Sequence, residues 1–489
     1  MSSPACPTVE GWRFDNTYAR LPAAFHSRVD PTPVESPRLL IVNRSLAVDL
    51  GLDPDRLDQE ASAPLFAGNI LPAGAEPIAQ AYAGHQYGNL TRLGDGRAIL
   101  LGEHVAPSGR RVDIQLKGPG PTPYSRRGDG RAAVGPMLRE YLISEAMHHL
   151  GIPTTRSLAV AATGEPVFRE RPLPGAVLTR IAASHIRVGT FELFAALGDQ
   201  DSLRTLADYT LRRHFPEQVG APNPALALLE GVCHRQATLI AHWMRVGFVH
   251  GVMNTDNMAL SGETIDFGPC AFLDAYDPGT VFSSIDHHGR YAFGRQPSIA
   301  AWNLARFSEA LLPVIDTGPE RAVELATGIL EQFADRFRSE WLRLFRGKLG
   351  LMTEEPEDAP LIEDLLQAMH EAGADFTTTF RALDPTDTTR ISPTRIPNDW
   401  SVRWKERLRR QPQTPQEAKA CLLRHNPAVI PRNHGVEAAL AAASDHGDLS
   451  LFQELLTALR NPYEEPTVPT PLLEPPSPGT PRCRTFCGT

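Results

Sequence analysis

One ordered run of local patterns limits, more than any other, how this chain can fold. Residues 97–106 (RAILLGEHVA) and 111–117 (RVDIQLK) read as strands joined by the turn-forming Pro107-Ser108-Gly109. Val112, Ile114 and Leu116 alternate onto one face of the second strand, so Asp113, Gln115 and Lys117 share the other. A Gly/Pro/Arg-rich loop over 118–131 (GPGPTPYSRRGDGR) follows. A helix then opens at Pro136 and stops at Gly151, ahead of Pro153. Two more strands are predicted over 157–163 and 176–183, around Gly164-Glu165-Pro166. Beyond residue 190 helical periodicity dominates, with helices predicted over 224–246, 320–346 and 359–372.

A strand-rich first portion thus meets a helix-rich second one, an α+β arrangement with its boundary at about 188–200. At 489 residues the chain exceeds one small core and suits two lobes sharing a cleft. The division predicted is a first lobe over 1–190, a helical lobe over 191–459 and a tail over 460–489. The tail's prolines (NPYEEPTVPTPLLEPPSPGTPRCRTFCGT) argue for an extended or disordered segment.

Composition excludes some functions. No apolar run approaches the length of a membrane span. A formal charge of -9 gives no general attraction for nucleic acid, so a basic site here is local and faces a small polyanion. MSSPACPTVEGWRFDNTYARLP has neither the apolar core of a secretory signal nor an Arg-rich transit pattern, which points to a cytoplasmic protein. Six scattered cysteines do not form a disulfide framework. Cys483 and Cys487, in C-x3-C spacing with no further ligands nearby, suggest redox chemistry before zinc.

Residues 249–268, VHGVMNTDNMALSGETIDFG, carry the strongest chemical signal. The segments 258–260 and 264–266 are predicted to form a small hairpin with Asp256, Asn257 and Asp266 around its base. Together with the upstream parts this is the order of a protein kinase. Gly94 and Gly96 would let a turn approach phosphates, Lys117 would neutralise them, and Glu140 would fix Lys117. Asn257 and Asp266 offer the hard oxygen ligands that magnesium requires. Arg180 and Arg187 could converge on phosphate as bidentate donors, and 126–131 offers more. His85, His250 and the His148-His149 pair have no carboxylate partner in view and read as structural, His250 as a brace for its loop.

The position where a kinase keeps its catalytic Asp is Val252, which cannot accept a proton. Asp256 is the nearest replacement carboxylate, approaching the nucleotide from a different angle. A nucleotide bound in reverse would present its α-phosphate, release pyrophosphate and leave AMP on the acceptor.

The chain resembles the selenoprotein O family of kinase-like protein adenylyltransferases. The resemblance rests on FDNTYARLP, AQAYAGHQYGNLTRLGDGRAILLGE, VDIQLKGPGPTPYSRRGDGRAAVGPMLREYLISEAMHHLGIPTTRSLAV, TRIAASHIRVGTFE, GFVHGVMNTDNMALSGETIDFGPCAFLDAYDP and the terminal CGT. It implies a bilobal kinase-like fold and transfer of AMP from ATP to hydroxyls of protein substrates, with magnesium as cofactor; the sequence leaves manganese and UTP open as alternatives. It also implies that Gly94, Gly96, Arg97, Lys117, Asp129, Gly130, Arg180, Arg187 and Asp266 contact ATP, that Asp256 accepts the proton and that Asn257 and Asp266 ligate the metal. Arg97, Asp129 and Gly130 come from the resemblance alone. Cys487 stands where some members carry selenocysteine. The segment DPGTVFSSIDHHGRY lacks the cysteine that some relatives have there, leaving Cys270 or Cys483 as substitutes for a disulfide with the tail. The residues alone leave two other readings open, an atypical phosphotransferase and a redox-regulated nucleotide-binding scaffold.

Overall fold

Alternating side chains build the first half of the molecule. The computed structural model describes residues 11–386, 396–466, 470–477, 480 and 483–486. In chain order the strands of this half are β1 (His26–Arg28), β2 (Arg38–Val42), β3 (Ile78–Gln80), β4 (Ala83–Gln86), β5 (Asn89–Arg92), β6 (Ala98–Val105), β7 (Arg111–Lys117), β8 (Ala132–Ala133), β9 (Arg156–Phe168) and β10 (Pro172–Ala182). Among the described residues, eight of them form one antiparallel sheet in the order β1-β3-β6-β7-β10-β9-β2, with β8 on β10, while β4 and β5 pair as a separate hairpin. Val112, Ile114 and Leu116 join Val177 and Ile181 in a core on one sheet face. Leu100, Val160 and Leu178 belong to a larger core on the other.

Register decides what shares a face. Lys117 lies opposite Leu178, and Gln115 opposite Arg180, so Gln115, Lys117 and Arg180 project together. The Val134–His149 helix crosses that face and buries Met137, Leu138 and Tyr141. Glu140 is carried into the same interior, where only cationic partners make a carboxylate tolerable. The far side of this helix packs against Asn433–His446 and Ser450–Leu459, and Arg139 pairs with Glu437.

The sequence expectations for β6, β7 and the helices Val134–His149, Pro224–Val246, Pro319–Lys348 and Asp358–Ala372 agree with these elements to within about two residues. The strands predicted around 164–166 differ. β9 runs on to Phe168 and Pro166 lies opposite Pro174, because Gly164 takes φ 77° and a register shift absorbs the irregularity between Pro174 and Ala176.

The Pro224–Val246 helix is capped by Asn223, whose Oδ1 accepts from Leu226 N–H, and ends at Gly247 with φ 74°. Directly after it β11 (Phe248–Val249) pairs with β12 (Ala271–Phe272), closing the loop between them. The predicted hairpin over 258–266 does not form. Its backbone is taken by the first half of the chain instead: Val188 N–H donates to Met258 O, Leu260 N–H to Ile186 O, and Thr155 N–H to Thr264 O, each at 3.0 Å. Those bonds stitch the loop to the sheet's exit strands and bring Asp266 towards Lys117.

The described part of the tail is anchored, not loose. Thr485 is buried, exchanges backbone bonds with Phe282 and Ser284, and donates its hydroxyl to Pro269 O at 2.6 Å. Prolines discourage regular structure, but they do not prevent an extended strand from docking.

Candidate active site

A cleft of about 360 Å³ opens where the sheet, the 82–87 segment and the 252–269 loop meet. At its floor Lys117 Nζ donates to Glu140 Oε2 at 2.6 Å and to Asp266 Oδ1 at 2.8 Å. Arg180 lies beneath, with Nε 2.7 Å from Glu140 Oε1 and Nη2 2.6 Å from Asp266 Oδ1. Two cations and two carboxylates thus form a closed ring, three of its members buried and Asp266 partly open to the cleft. Burial opposes ionisation of both acids, yet Arg180 and Lys117 outweigh it and hold Glu140 below, and Asp266 well below, the usual carboxylate range. The expected Lys117–Glu140 pair is present. Arg180, which the sequence suggested as a phosphate donor only, is also the second partner of Glu140.

Asp266 adopts φ 62°, a left-handed conformation uncommon for a residue with a side chain. His250 helps to hold that turn: it is fully buried, with Nε2 2.8 Å from Ile265 O, and its N–H donates to Gln296 Oε1 at 3.0 Å. The brace expected of His250 is therefore what the structure contains. Val252, in place of the missing acid, accepts from Asn257 Nδ2 through its carbonyl at 3.0 Å. This commits the amide nitrogen of Asn257 and leaves Oδ1 for another ligand.

Asp256 lines the same cleft. Burial pushes its pKa up to about 6, against the pull of Arg187, and its Oδ1 has no hydrogen-bond partner. Arg187 stacks on the Tyr82 ring at 4.4 Å and reaches Asp95 Oδ1 at 3.5 Å and Asp266 Oδ2 at 3.7 Å. Asp95 was missed by sequence reasoning, because a carboxylate between two glycines looks like a solvated turn. It is in fact buried, accepting from Gln80 N–H at 3.0 Å.

The remaining sequence candidates divide. Gly96 and Arg97 line the cleft, whereas Gly94, Asp129 and Gly130 do not. A Cβ on Gly96 would lie 3.0 Å from Tyr124 O, so both glycines of this turn serve close packing against the 118–131 loop. Asp129 pairs with Arg169 at 2.8 Å. Cys270 is buried beside Phe267 O, Cys483 is a free thiol 4.0 Å from Glu437, and Cys487 lies outside the described residues.

Among the described residues no group of three or more His, Cys, Asp or Glu side chains is arranged to hold a metal. The chain offers two hard oxygens, from Asn257 and Asp266, on one cleft wall. A divalent ion that keeps waters and takes phosphate oxygens needs no more, so the donor set fits magnesium-type coordination.

The sequence pattern of the family described as protein adenylyltransferase SelO matches residues 9–460. The chain is 58% identical over 481 residues to the protein nucleotidyltransferase YdiU of Geobacillus kaustophilus, covering 98% of this chain and 99% of the relative. It is 57% identical over 482 residues to that of Halalkalibacterium halodurans, covering 98% of each. The protein is an enzyme of the nucleotidyltransferase class. It belongs to the SelO protein adenylyltransferase family, whose chemistry entails a nucleotide substrate and a divalent metal. No described helix is long and apolar enough to cross a membrane.

Proposed function

We propose that this enzyme is cytoplasmic and moves AMP from ATP to Ser, Thr or Tyr hydroxyls of proteins, on a kinase-like bilobal fold divided near residue 190. The observation that carries the reading is the buried Asp256 carboxylate, with Oδ1 unengaged, on the cleft that also holds Lys117, Asn257 and Asp266. The acceptor oxygen attacks the α-phosphorus, its proton passes to Asp256, and the bond between that phosphorus and the α,β-bridging oxygen breaks. The electron pair leaves with pyrophosphate.

Asn257 and Asp266 would hold the metal, magnesium or manganese, which when bound offsets charge on the phosphates. Lys117, positioned by Glu140, neutralises the departing pyrophosphate together with Arg180 and Arg187. Arg97 and the backbone at Gly94 and Gly96 border the nucleotide in this reading, with Asp129 and Gly130 in the adjoining loop; the family resemblance supports these last roles. Because the cleft is only about 360 Å³ and confines Arg97, Lys117, Arg180 and Arg187 to one small space, it suits a nucleotide and not a duplex.

Labelled ATP tests the proposal. Radiolabel from the α-phosphate, and none from the γ-phosphate, is expected on acceptor protein. Label arriving only from the γ-position would make the enzyme a kinase, and label from neither would remove transfer altogether.

A further inference from the structure

The β4–β5 hairpin reaches from the sheet half of the chain and grips the segment that carries Asp256. Its two-residue turn, Tyr87-Gly88, takes φ of 51° and 89°, as a tight hairpin with a right-handed twist requires. Two hairpin residues each hold one residue of the Asn254-Thr255 pair that leads into Asp256. The His85 N–H donates to Thr255 Oγ1 at 2.7 Å and the Tyr87 N–H to Asn254 Oδ1 at 3.1 Å. Between them, Gln86 projects from the same strand face as Gly84 and lines the cleft together with Asp256.

Both flanking contacts are reinforced. Glu192 bridges His85 Nδ1 and the Thr255 hydroxyl at 2.5 Å each. The Tyr291 hydroxyl donates to Asn254 Oδ1 at 2.5 Å, and its ring packs 5.2 Å from that of Tyr87. Gly84 completes the fit from the same strand. A Cβ there would lie 2.8 Å from the Asp256 Cβ and nearer still to Oδ1, so the hairpin passes this close only because position 84 has no side chain.

We propose that Gln86 is the positioning residue for Asp256, its amide nitrogen donating to one carboxylate oxygen so that the other is aimed at the acceptor hydroxyl. The inference rests on the AMP-transfer reading and deepens it. The terminal torsion of an Asp side chain is broad and two-fold, so backbone placement alone does not direct a lone pair. Gln86 also lines the cleft, so it is near enough to the chemistry for its donor to matter. A small misplacement of a reacting group is enough to cost about 10²-fold in rate. The base is thereby built from two distant parts of the sequence, and separating the hairpin from the 254–256 segment would disarm it.

The test compares Gln86→Met, which keeps length and bulk but loses the donor, and Gln86→Glu, which keeps the shape but presents an acceptor at neutral pH. With α-labelled ATP and a protein acceptor, both are expected to lower kcat by about 10- to 100-fold. KM for ATP, metal-dependent ATP affinity and melting temperature should stay near those of the parent. The role is overturned if Gln86→Met keeps kcat within about three-fold, if Gln86→Glu restores it, or if the loss comes with weakened ATP binding or a lowered melting temperature. A parent enzyme that transfers no α-label overturns the AMP-transfer reading itself, and Gln86's role with it. A parent that transfers while Gln86→Met matches it overturns only the role of Gln86.

Discussion

Lys117 and Lys348 are almost equally inaccessible, 7% and 1% exposed, yet their surroundings have nothing in common. Lys117 ends between the carboxylates of Glu140 and Asp266 on the wall of an open cleft. Lys348 ends the Pro319–Lys348 helix with its amine 4.2 Å from the centre of the Phe380 ring and 5.0 Å from that of Phe376. Burial, and then Arg245, push the Lys348 pKa well below that of an ordinary lysine. Depth alone therefore does not mark a functional amine. What separates the two is paired opposite charge beside a space that a polyanion can enter, present at Lys117 and, among the described residues, absent at Lys348.

The largest effect should come from removing the cation that faces the cleft. Lys117→Met is expected to lower AMP transfer by about 10²- to 10³-fold, the cost of losing one preorganised charge from a developing transition state. Single-turnover transfer from α-labelled ATP measures it, and a loss below three-fold would erase the distinction from Lys348. Arg180→Met sharpens the same contrast through stability. It strips Glu140 Oε1 and Asp266 Oδ1 of a buried partner, and leaving buried charge uncompensated costs about 3–5 kcal/mol. Urea denaturation should show the drop, and an unchanged midpoint would mean that Lys117 alone sustains both acids.

Much of this contrast was legible in the sequence, because it depends on local order. A strand ending in Lys117, a punctuated helix carrying Glu140 and the Asn257 to Asp266 spacing are patterns within single segments. The features that escaped depend on pairing between distant ones. Arg180 meets Glu140 only because β10 pairs with β7 so that Arg180 lies opposite Gln115. The 258–266 loop looked like a hairpin because its own residues could pair, and no local rule shows that residues 154–155 and 186–188 would claim those groups first. Gln86 was hidden for the same reason, since a Tyr87-Gly88 turn is a weak hairpin signal beside Asn-Gly. Lys348 carries no sequence mark at all: its phenylalanine neighbours at 376 and 380 come from a separate helix.

The smallest expected effect belongs to that second lysine. Lys348→Met replaces a desolvated amine with an apolar side chain of similar length, so AMP transfer should be unchanged and stability raised by about 1–3 kcal/mol. The sign with pH follows from linkage. A lysine whose folded pKa lies below its unfolded value of about 10.4 binds fewer protons when folded, so the parent gains stability as pH rises through the interval between the two values. Lys348→Met lacks that gain. Its advantage over the parent should therefore be greatest at low pH and narrow as the pH rises towards 10, measured by urea midpoints across the series. An advantage that stays constant with pH would place the Lys348 amine in its charged form, held by the Phe380 and Phe376 rings through cation–π attraction. In that case the two lysines would differ in their counter-charge only, and not in protonation.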